Sequence, residues 1–213
     1  GPAWLRGHLN ELESFAREIK AAGFRHVVLL GMGGSSLCPE VLSLVFGLPE
    51  YLESFDILDS TDPAAVARIE AGIDLPHTLF IVASKSGTTT ETRSQAAYFF
   101  ARVTDAVEQP GPNFVAITDP DSALSGWASN AEFRRVFLNP PDIGGRYSAL
   151  SYFGMVPGAL LRIPLAQVCD EAERMAAALC ADSRENTGLI LGAVLGTAAQ
   201  AGRDKLTFLA DTA

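Results

Sequence analysis

The alternation of short apolar runs with helical stretches constrains the fold of this chain most. Continuous hydrophobic runs occur at residues 27–30, 79–83 and 114–117, and two further strands are predicted near 56–58 and 136–138. Helical stretches follow Asp62, Thr88 and Asp119. Uniformly apolar strands that alternate with helices are typical of a parallel sheet covered on both faces. The pattern therefore predicts an α/β fold, a three-layer αβα sandwich with a mainly parallel central sheet of about five strands.

The ends of the chain are predicted to be helical around this sheet. Apolar residues recur at helical spacing over residues 4–22, and the Gly23 that follows is a natural stop. After residue 141 the pattern predicts three helices, at 147–161, 164–181 and 185–201, and then a strand at 205–210. We interpret that strand as the beginning of another domain. The predicted organisation is a first domain over 1–202 and the start of a truncated second domain over 203–213.

Charge and cysteine content limit the classes of partner. The net charge of −9 argues against nucleic acid, which is bound through clustered Lys and Arg. The sequence has no apolar run long enough to span a bilayer, so no membrane partner is expected. Three cysteines without a disulfide pattern or a zinc-type cluster favour a reducing compartment, and we expect a cytoplasmic protein.

The first strongly apolar strand is followed by the sequence GMGGSS, residues 31–36. Glycines there let the backbone approach a ligand, and the next helix presents free N–H groups, so the loop is a candidate anion or sugar site. The glycine spacing does not match a dinucleotide-binding loop, because Ser36 stands where the third glycine belongs. A tight turn without a ligand is the alternative for this loop taken alone.

A hydroxyl-rich segment, SKSGTT at residues 84–89, follows the strand predicted at 79–83. Hydroxyls, a lysine and the N–H groups of a helix N-terminus can together bind a phosphate dianion. The alternative is that Thr88 or Thr89 only caps the helix. One cap requires one hydroxyl, so the number of hydroxyls favours a phosphate site.

A third segment, DIGGRYS at residues 142–148, places Arg146 directly after two glycines. A fixed guanidinium can stabilise negative charge that develops on a sugar oxygen, although a surface arginine is an equal alternative for this segment alone. Asp62 before Pro63 is interpreted as a helix cap. The three histidines, at positions 8, 26 and 77, are interpreted as surface or turn residues.

The motifs GMGGSS, SKSGTTTET and DIGGRYS, in that order, resemble the glucose-6-phosphate isomerase family. The segments GMGGSSLCPEVL and DSTDP look most like the isomerase half of bifunctional transaldolase/glucose-6-phosphate isomerase proteins. The resemblance implies two sugar-isomerase (SIS) domains, of which this chain would hold the first. It departs from the family pattern at Cys38, where many members have glycine, and at Ser86-Gly87, which replaces a bulkier pair.

The resemblance also implies a role for individual residues. Arg146 would be catalytic, and the residues that bind the substrate and its phosphate would be Gly34, Ser35, Ser84, Lys85, Ser86, Thr88 and Thr89. The family interconverts glucose 6-phosphate and fructose 6-phosphate through a cis-enediol, in glycolysis and gluconeogenesis, without metal or organic cofactor.

The catalytic base is not among the residues that match. The resemblance implies a glutamate from a segment beyond residue 213, so we expect this chain alone to be inactive and its full-length parent to be a homo-oligomer, most simply a dimer. Two other classes are weighed, and the first is disfavoured because the GGRYS segment has no evident use in a sensor. A non-catalytic SIS module that senses a sugar phosphate would share the phosphate loop, and a nucleotide-dependent oxidoreductase is disfavoured by the glycine spacing.

Overall fold

The computed structural model describes residues 1–209, in which five strands form one sheet. The strands are β1 (His26–Gly31), β2 (Ser54–Leu58), β3 (Thr78–Ala83), β4 (Phe114–Thr118) and β5 (Arg135–Leu138). Their order across the sheet is β2-β1-β3-β4-β5, and every neighbouring pair is parallel. The chain leaves β1 toward one edge and returns to β3 on the other side, so the direction of winding reverses between these two strands. Ligands of such sheets bind outside the carboxyl ends of the strands at this reversal.

Eight α-helices occur within the described residues. They are α1 (Pro2–Ala21), α2 (Leu37–Phe46), α3 (Pro63–Gly72), α4 (Thr90–Thr104), α5 (Ala123–Asn130), α6 (Tyr152–Leu160), α7 (Leu165–Cys180) and α8 (Thr187–Gln200). The helix α1 has Pro2 in its first turn, where the missing N–H costs no hydrogen bond. It ends before Gly23, whose φ of +80° a residue with a side chain rarely adopts.

The two faces of the sheet are covered by different helices. Successive strand residues point to opposite faces, and Val28, Phe80 and Phe114 share a buried cluster with Phe99 of α4 and Leu124 of α5. On the other face, the Phe15 ring of α1 meets that of Phe137 edge to face, with ring centroids 5.0 Å apart. The α6 residues are buried along the whole helix. These contacts confirm the predicted three-layer α/β sandwich with a five-stranded parallel sheet.

The predicted helix over 147–161 starts too early. The structure has a short 3₁₀ turn at Gly145–Tyr147, and α6 begins only after Ser151. Ser148 Oγ donates to the carbonyl of Gly145 at 2.6 Å, and Ser151 Oγ donates to that of Ser148 at 2.6 Å. Serine side chains compete in this way with the backbone for hydrogen bonds and interrupt a helix.

The chain divides into two compact units, Gly1–Ala166 and Gln167–Ala213. The first unit contains the whole sheet and all of the predicted site residues. In the second, Asn186 caps α8 by accepting from the N–H groups of Gly188 and Leu189 at 3.0 and 3.2 Å. Its amide nitrogen donates to the carbonyls of Leu179 and Ala181, so this one side chain joins the ends of two helices.

The strand predicted at 205–210 is not formed in the part of it that the structure describes. Residues 203–209 follow α8 without regular secondary structure, and Ala210 lies outside the described residues. A strand needs a partner for its backbone groups, which the sequence pattern cannot supply. The predicted domain boundary at 202/203 stays a prediction. No helix within residues 1–209 is both long and apolar enough to cross a membrane.

Candidate functional site

Three polar segments converge at the carboxyl edge of the sheet. The residues after β1 and β3 emerge side by side, because Gly31 and Ala83 are aligned partners in the parallel register. The third segment follows β5 and returns over the same edge, where the turn at Gly145–Tyr147 contacts the turn at Gly33–Ser35. The sheet thus brings together motifs that lie far apart in sequence, at the position where parallel sheets bind ligands.

A cavity of about 410 Å³ opens between these segments. Among the predicted site residues, it is lined by Gly34, Ser35, Ser84, Lys85, Ser86 and Thr89. Thr88 and Arg146 do not line it, although Gly145, next to Arg146, does. The remaining lining residues are Met32, Ala83, Thr92 and Asp119, which sequence reasoning does not assign to the site.

Gly34 allows the first and third segments to approach closely. A Cβ atom built on Gly34 would lie 2.5 Å from the carbonyl oxygen of Gly145 and 3.4 Å from the backbone nitrogen of Arg146. The first distance is far below van der Waals contact, and the obstacle is backbone rather than a flexible side chain. Glycine at position 34 is therefore required for the observed placement of the Arg146 segment.

The hydroxyl-rich loop is held by hydrogen bonds among its own side chains. Ser84 Oγ donates to Thr89 Oγ1 at 3.2 Å, and the hydroxyls of Ser86 and Thr88 lie 2.9 Å apart. Gly87 has a φ of +67°, and a Cβ there would lie 2.7 Å from the backbone nitrogen of Leu124. Only a residue without a side chain fits this bend, which turns the loop into α4.

Thr89 occupies the cap position of α4 but makes no side-chain capping bond. The interpretation of this hydroxyl as a simple helix cap is therefore not supported. The first backbone N–H groups of a helix have no partner within the helix, and they favour an anion. The start of α4 and the hydroxyls of Ser84, Ser86 and Thr89 form one polar wall of the cavity.

Lys85 is engaged by groups from two other segments. Its ammonium forms an ion pair with Asp119 Oδ2 and donates to the carbonyl oxygen of Pro141 at 2.9 Å. Asp119 follows β4, and Pro141 precedes the turn that carries Arg146. The two charged side chains that line the cavity thus carry opposite charges, so that an anion would be held mainly by N–H and hydroxyl donors.

Arg146 lies in the exposed turn at Gly145–Tyr147. Within residues 1–209 its guanidinium has neither a hydrogen-bond partner nor an ion-pair partner, in contrast to those of Arg25, Arg102, Arg134, Arg135 and Arg174. The backbone of Arg146 is fixed by its neighbour Gly145 against Gly34. The structure therefore places the Arg146 guanidinium, whose N–H groups are unpaired within residues 1–209, beside the cavity but not in its wall.

The prediction that all three histidines are surface or turn residues is wrong for His26. His26 is buried at the start of β1, where its Nδ1 lies 3.1 Å from Ser54 Oγ. This end of the strand is opposite to the cavity. His77 is exposed and contacts Asp74.

Asp62 does cap α3, as predicted, by accepting from the N–H of Ala64 at 3.2 Å.

Asp119 is the most informative residue that sequence reasoning misses. A signal is present, since Asp119 directly follows a buried strand in the same way as Ser84 does. The sequence pattern indicates only the start of a helix there. The helix α5 begins instead at Ala123 and is capped by Ser122, whose Oγ accepts from the N–H of Ser125 at 3.1 Å. Asp119 is thereby left available to the cavity.

A larger cavity of about 560 Å³ lies between α4 and α5 and shares Ser84 and Thr92 with the first. Its other walls include Leu124 and Trp127. It lacks Gly34, Lys85 and the segment that carries Arg146, so the smaller cavity is the better candidate site. Within residues 1–209, no three His, Cys, Asp or Glu side chains are grouped to hold a metal ion.

The fold and the smaller cavity define a class: a parallel α/β protein with a polar, hydroxyl-lined cavity at the point where the winding reverses. Residues 8–200 match the family described as phosphoglucose isomerase. The chain is 32% identical over 183 residues to a glucose-6-phosphate isomerase of Cyanothece sp.. This alignment covers 78% of the chain and 35% of that enzyme.

Solved structures agree with this match. A hypothetical protein from Thermus thermophilus superposes with a TM-score of 0.82 at 29% identity, over 91% of this chain and 46% of that one. A glucose-6-phosphate isomerase from Chlamydia trachomatis gives a TM-score of 0.78 at 26% identity, over 92% of this chain and 38% of that one. The chain belongs to the phosphoglucose isomerase family. It spans between about a third and a half of the length of these relatives.

Proposed function

We propose that this chain is the first sugar-phosphate-binding domain of a glucose-6-phosphate isomerase. The observation that carries the proposal is the convergence of the three motif segments on one cavity in a chain of this family. The ligands would be glucose 6-phosphate and fructose 6-phosphate. Their phosphate would lie against the start of α4, and their sugar would extend toward Gly34 and Ser35.

The phosphate is bound without a surplus of positive charge in the cavity wall. Backbone N–H groups of α4 and the hydroxyls of Ser86 and Thr89 donate to it, and Ser84, whose one hydroxyl proton goes to Thr89, orients Thr89 for this contact. Lys85 has three N–H donors, of which Asp119 and Pro141 occupy two, so that one is left for the phosphate. A protein with a net charge of −9 can hold an anion in this way because the donors act locally.

Arg146 serves the chemical step. Isomerisation moves a proton between C1 and C2 of the sugar through a cis-enediol, and negative charge develops on a sugar oxygen during the transfer. A guanidinium with free donors stabilises that charge as it forms. The contact between Gly34 and Gly145 brings the arginine next to the sugar end of the cavity.

The base that moves the proton is contributed from outside residues 1–213. This part of the proposal is supported by the coverage, since the chain corresponds to 35% of the Cyanothece enzyme. In the proposed organisation, residues 1–202 form the first domain and 203–213 begin the second. Thr88 remains in the proposed set as a residue that holds Ser86, with its hydroxyl 2.9 Å from that of Ser86.

An isomerase assay of the complete protein beside this chain tests the proposal. The complete protein should interconvert the two sugar phosphates, and the chain should show little turnover, because a positioned base contributes about 10²–10⁴-fold. Turnover by the chain near that of the complete protein would mean that a base within it has been missed. A complete protein that binds fructose 6-phosphate but never converts it would favour the regulatory sensing module instead.

Three further parts of the proposal concern the protein as a whole. We propose a role in glycolysis and gluconeogenesis, a cytoplasmic location, and a homodimer of the complete protein. Fusion to a transaldolase also stays a prediction, and the length of the gene that encodes the chain tests it. Sedimentation of the complete protein tests the dimer.

A further inference from the structure

Lys85 connects three segments of the site through its ammonium group. It belongs to the hydroxyl-rich loop, pairs with Asp119 after β4, and donates to the Pro141 carbonyl at 2.9 Å. The Lys85 side chain is 33% exposed and that of Asp119 is 19% exposed, so the pair is partly shielded from water. Such a pair is more rigid than an exposed lysine on a flexible stem.

Asp119 is itself fixed by the sheet. Its backbone N–H donates to the carbonyl of Lys85 at 3.1 Å, and Thr118 Oγ1 donates to the same carbonyl at 3.3 Å. One carboxylate oxygen of Asp119 binds Lys85. The other, Oδ1, is buried and has no hydrogen-bond partner within the described part of the chain. Burial of a charged oxygen without a partner is costly, so this carboxylate is not explained by stability.

Phosphate affinity does not explain Asp119 either. A carboxylate in the wall of a cavity that binds a dianion repels the ligand and cancels the charge of Lys85. A residue that contributed only to affinity would be neutral or positive here. The remaining effect of Asp119 is geometric, since it holds the Lys85 ammonium where it reaches the Pro141 carbonyl.

We propose that Asp119 is a positioning residue for the isomerisation, acting through Lys85 on the segment that carries Arg146. The ion pair holds Lys85 between the phosphate and Pro141, and the bond to Pro141 fixes the approach of Gly145 and Arg146 to the cavity. This inference rests on the proposed function. In this inference the Asp119 carboxylate, which lies in the wall of the phosphate site, aligns the Arg146 guanidinium without touching it.

The test is Asp119→Asn in the complete protein. The expected result is a fall in kcat of about tenfold, because Lys85 is held less firmly and Arg146 loses its alignment. The KM for fructose 6-phosphate and the inhibition constant of inorganic phosphate should stay unchanged or fall, because a repulsive charge is removed. If Asp119 had a merely structural role, its substitution would raise both the KM for fructose 6-phosphate and the inhibition constant of phosphate.

Matched variants make the result interpretable. Asp121→Asn makes the same chemical change two residues away, at an exposed position with a φ of +57° that asparagine tolerates, and should leave kcat and KM at their original values. Asp119→Glu keeps the charge but displaces it by one methylene, and should lower kcat at least threefold. If Asp119→Asn does not fold, as judged by circular dichroism, Asp119→Glu decides the question.

Each outcome separates the inference from the function on which it rests. An unaltered complete protein without isomerase activity overturns the proposed function. If the unaltered protein is active and Asp119→Asn retains the original kcat, only the inference is overturned. Where Asp119→Asn does not fold, the same result with Asp119→Glu overturns the inference. So does an Asp119→Asn protein in which kcat falls while the constants for phosphate and fructose 6-phosphate both rise tenfold, since Asp119 would then have a merely structural role.

Discussion

The Thr89 hydroxyl and the Arg146 guanidinium are the two groups on which the proposed roles of the site residues depend. Thr89 stands where a capping residue is expected, yet its hydroxyl accepts from Ser84 Oγ and not from the helix. Arg146 has an unused guanidinium, although it lies outside the cavity wall. The two residues would therefore act at different stages: one on a phosphate that does not change during the reaction, the other on charge that forms only in the transition state.

This difference predicts opposite kinetic effects in the complete protein. The double variant Ser86→Ala/Thr89→Ala removes donors to the phosphate in every state, and should raise KM more than it lowers kcat. Arg146→Ala should lower kcat by about 10²-fold and change phosphate affinity less. Arg146→Lys should rescue only in part, because lysine lacks the planar fork. Steady-state kinetics that show an intact kcat and a raised KM for Arg146→Ala would disprove its catalytic role.

At the scale of elements, the site depends on the close packing of two turns. Gly34→Ala would place a methyl group 2.5 Å from the Gly145 carbonyl, so the turn at Gly145–Tyr147 must move. We expect at least a tenfold loss of phosphate affinity or of kcat. Gly144→Ala is the matched control, because its Cβ would meet only the Tyr147 ring, at 3.5 Å, in an extended conformation. Equal activity of the two variants would show that the close approach does not matter.

The end of α6 provides a test of stability. Tyr51 Oη donates to the carbonyl of Leu160 at 2.6 Å and so satisfies a helix-terminal acceptor. Burial raises the pKa of Tyr51 to about 12, which the charge of Arg162 partly opposes. The pKa in the folded state is above the unfolded value near 10, so the stabilisation is complete below pH 10 and is lost as the pH rises toward 12.

Tyr51→Phe should therefore lower the free energy of unfolding by about 1 kcal/mol at pH 8. The difference from the unaltered chain should shrink between pH 10 and 12, because only the unaltered chain loses this contribution there. Urea denaturation at pH 8 and 11 measures both effects. Tyr147→Phe is the control, since Tyr147 is 84% exposed. A difference that stays constant with pH would show that the Tyr51 hydroxyl is not the group responsible.

Elements with a local signal can be predicted from the sequence, and contacts between elements cannot. The strands at His26–Gly31, Thr78–Ala83 and Phe114–Thr118 are continuous apolar runs, and the predicted bounds agree within one or two residues. The predicted start of α6 is wrong because Ser148 and Ser151 redirect their hydroxyls to nearby carbonyls. Burial of a residue such as His26 depends on what packs over it, which periodicity does not report.

The composition of the site shows the same limit. The three motif segments are recognisable in the sequence and do converge. The partners of Lys85 are not predictable, since Asp119 and Pro141 are 34 and 56 residues away along the chain and neither belongs to a motif. The strand predicted at 205–210 fails for a related reason. Hydrophobic residues there fit a strand, but a strand forms only beside another.

For the molecule as a whole, a ligand that binds the folded state should stabilise it. Fructose 6-phosphate at about 100 times its dissociation constant adds about 2.7 kcal/mol, which corresponds to a rise in Tm of roughly 5–10 °C for a chain of 213 residues. Fructose at the same concentration should change Tm by less than about 1 °C, because it lacks the phosphate. Differential scanning fluorimetry of this chain makes the comparison. Equal shifts with both sugars would contradict the phosphate site.

The bond between Lys85 and Pro141 also has a consequence for biosynthesis. The two residues are separated by 56 positions, which a ribosome adds in roughly 3–11 s. Throughout that interval the nascent chain already holds both glycine- and hydroxyl-rich loops, yet the segment that fixes the lysine and carries the arginine has not been made. A sugar phosphate met at this stage would find an incomplete pocket. The complete site can therefore form only after the segment that follows the fifth strand has been made.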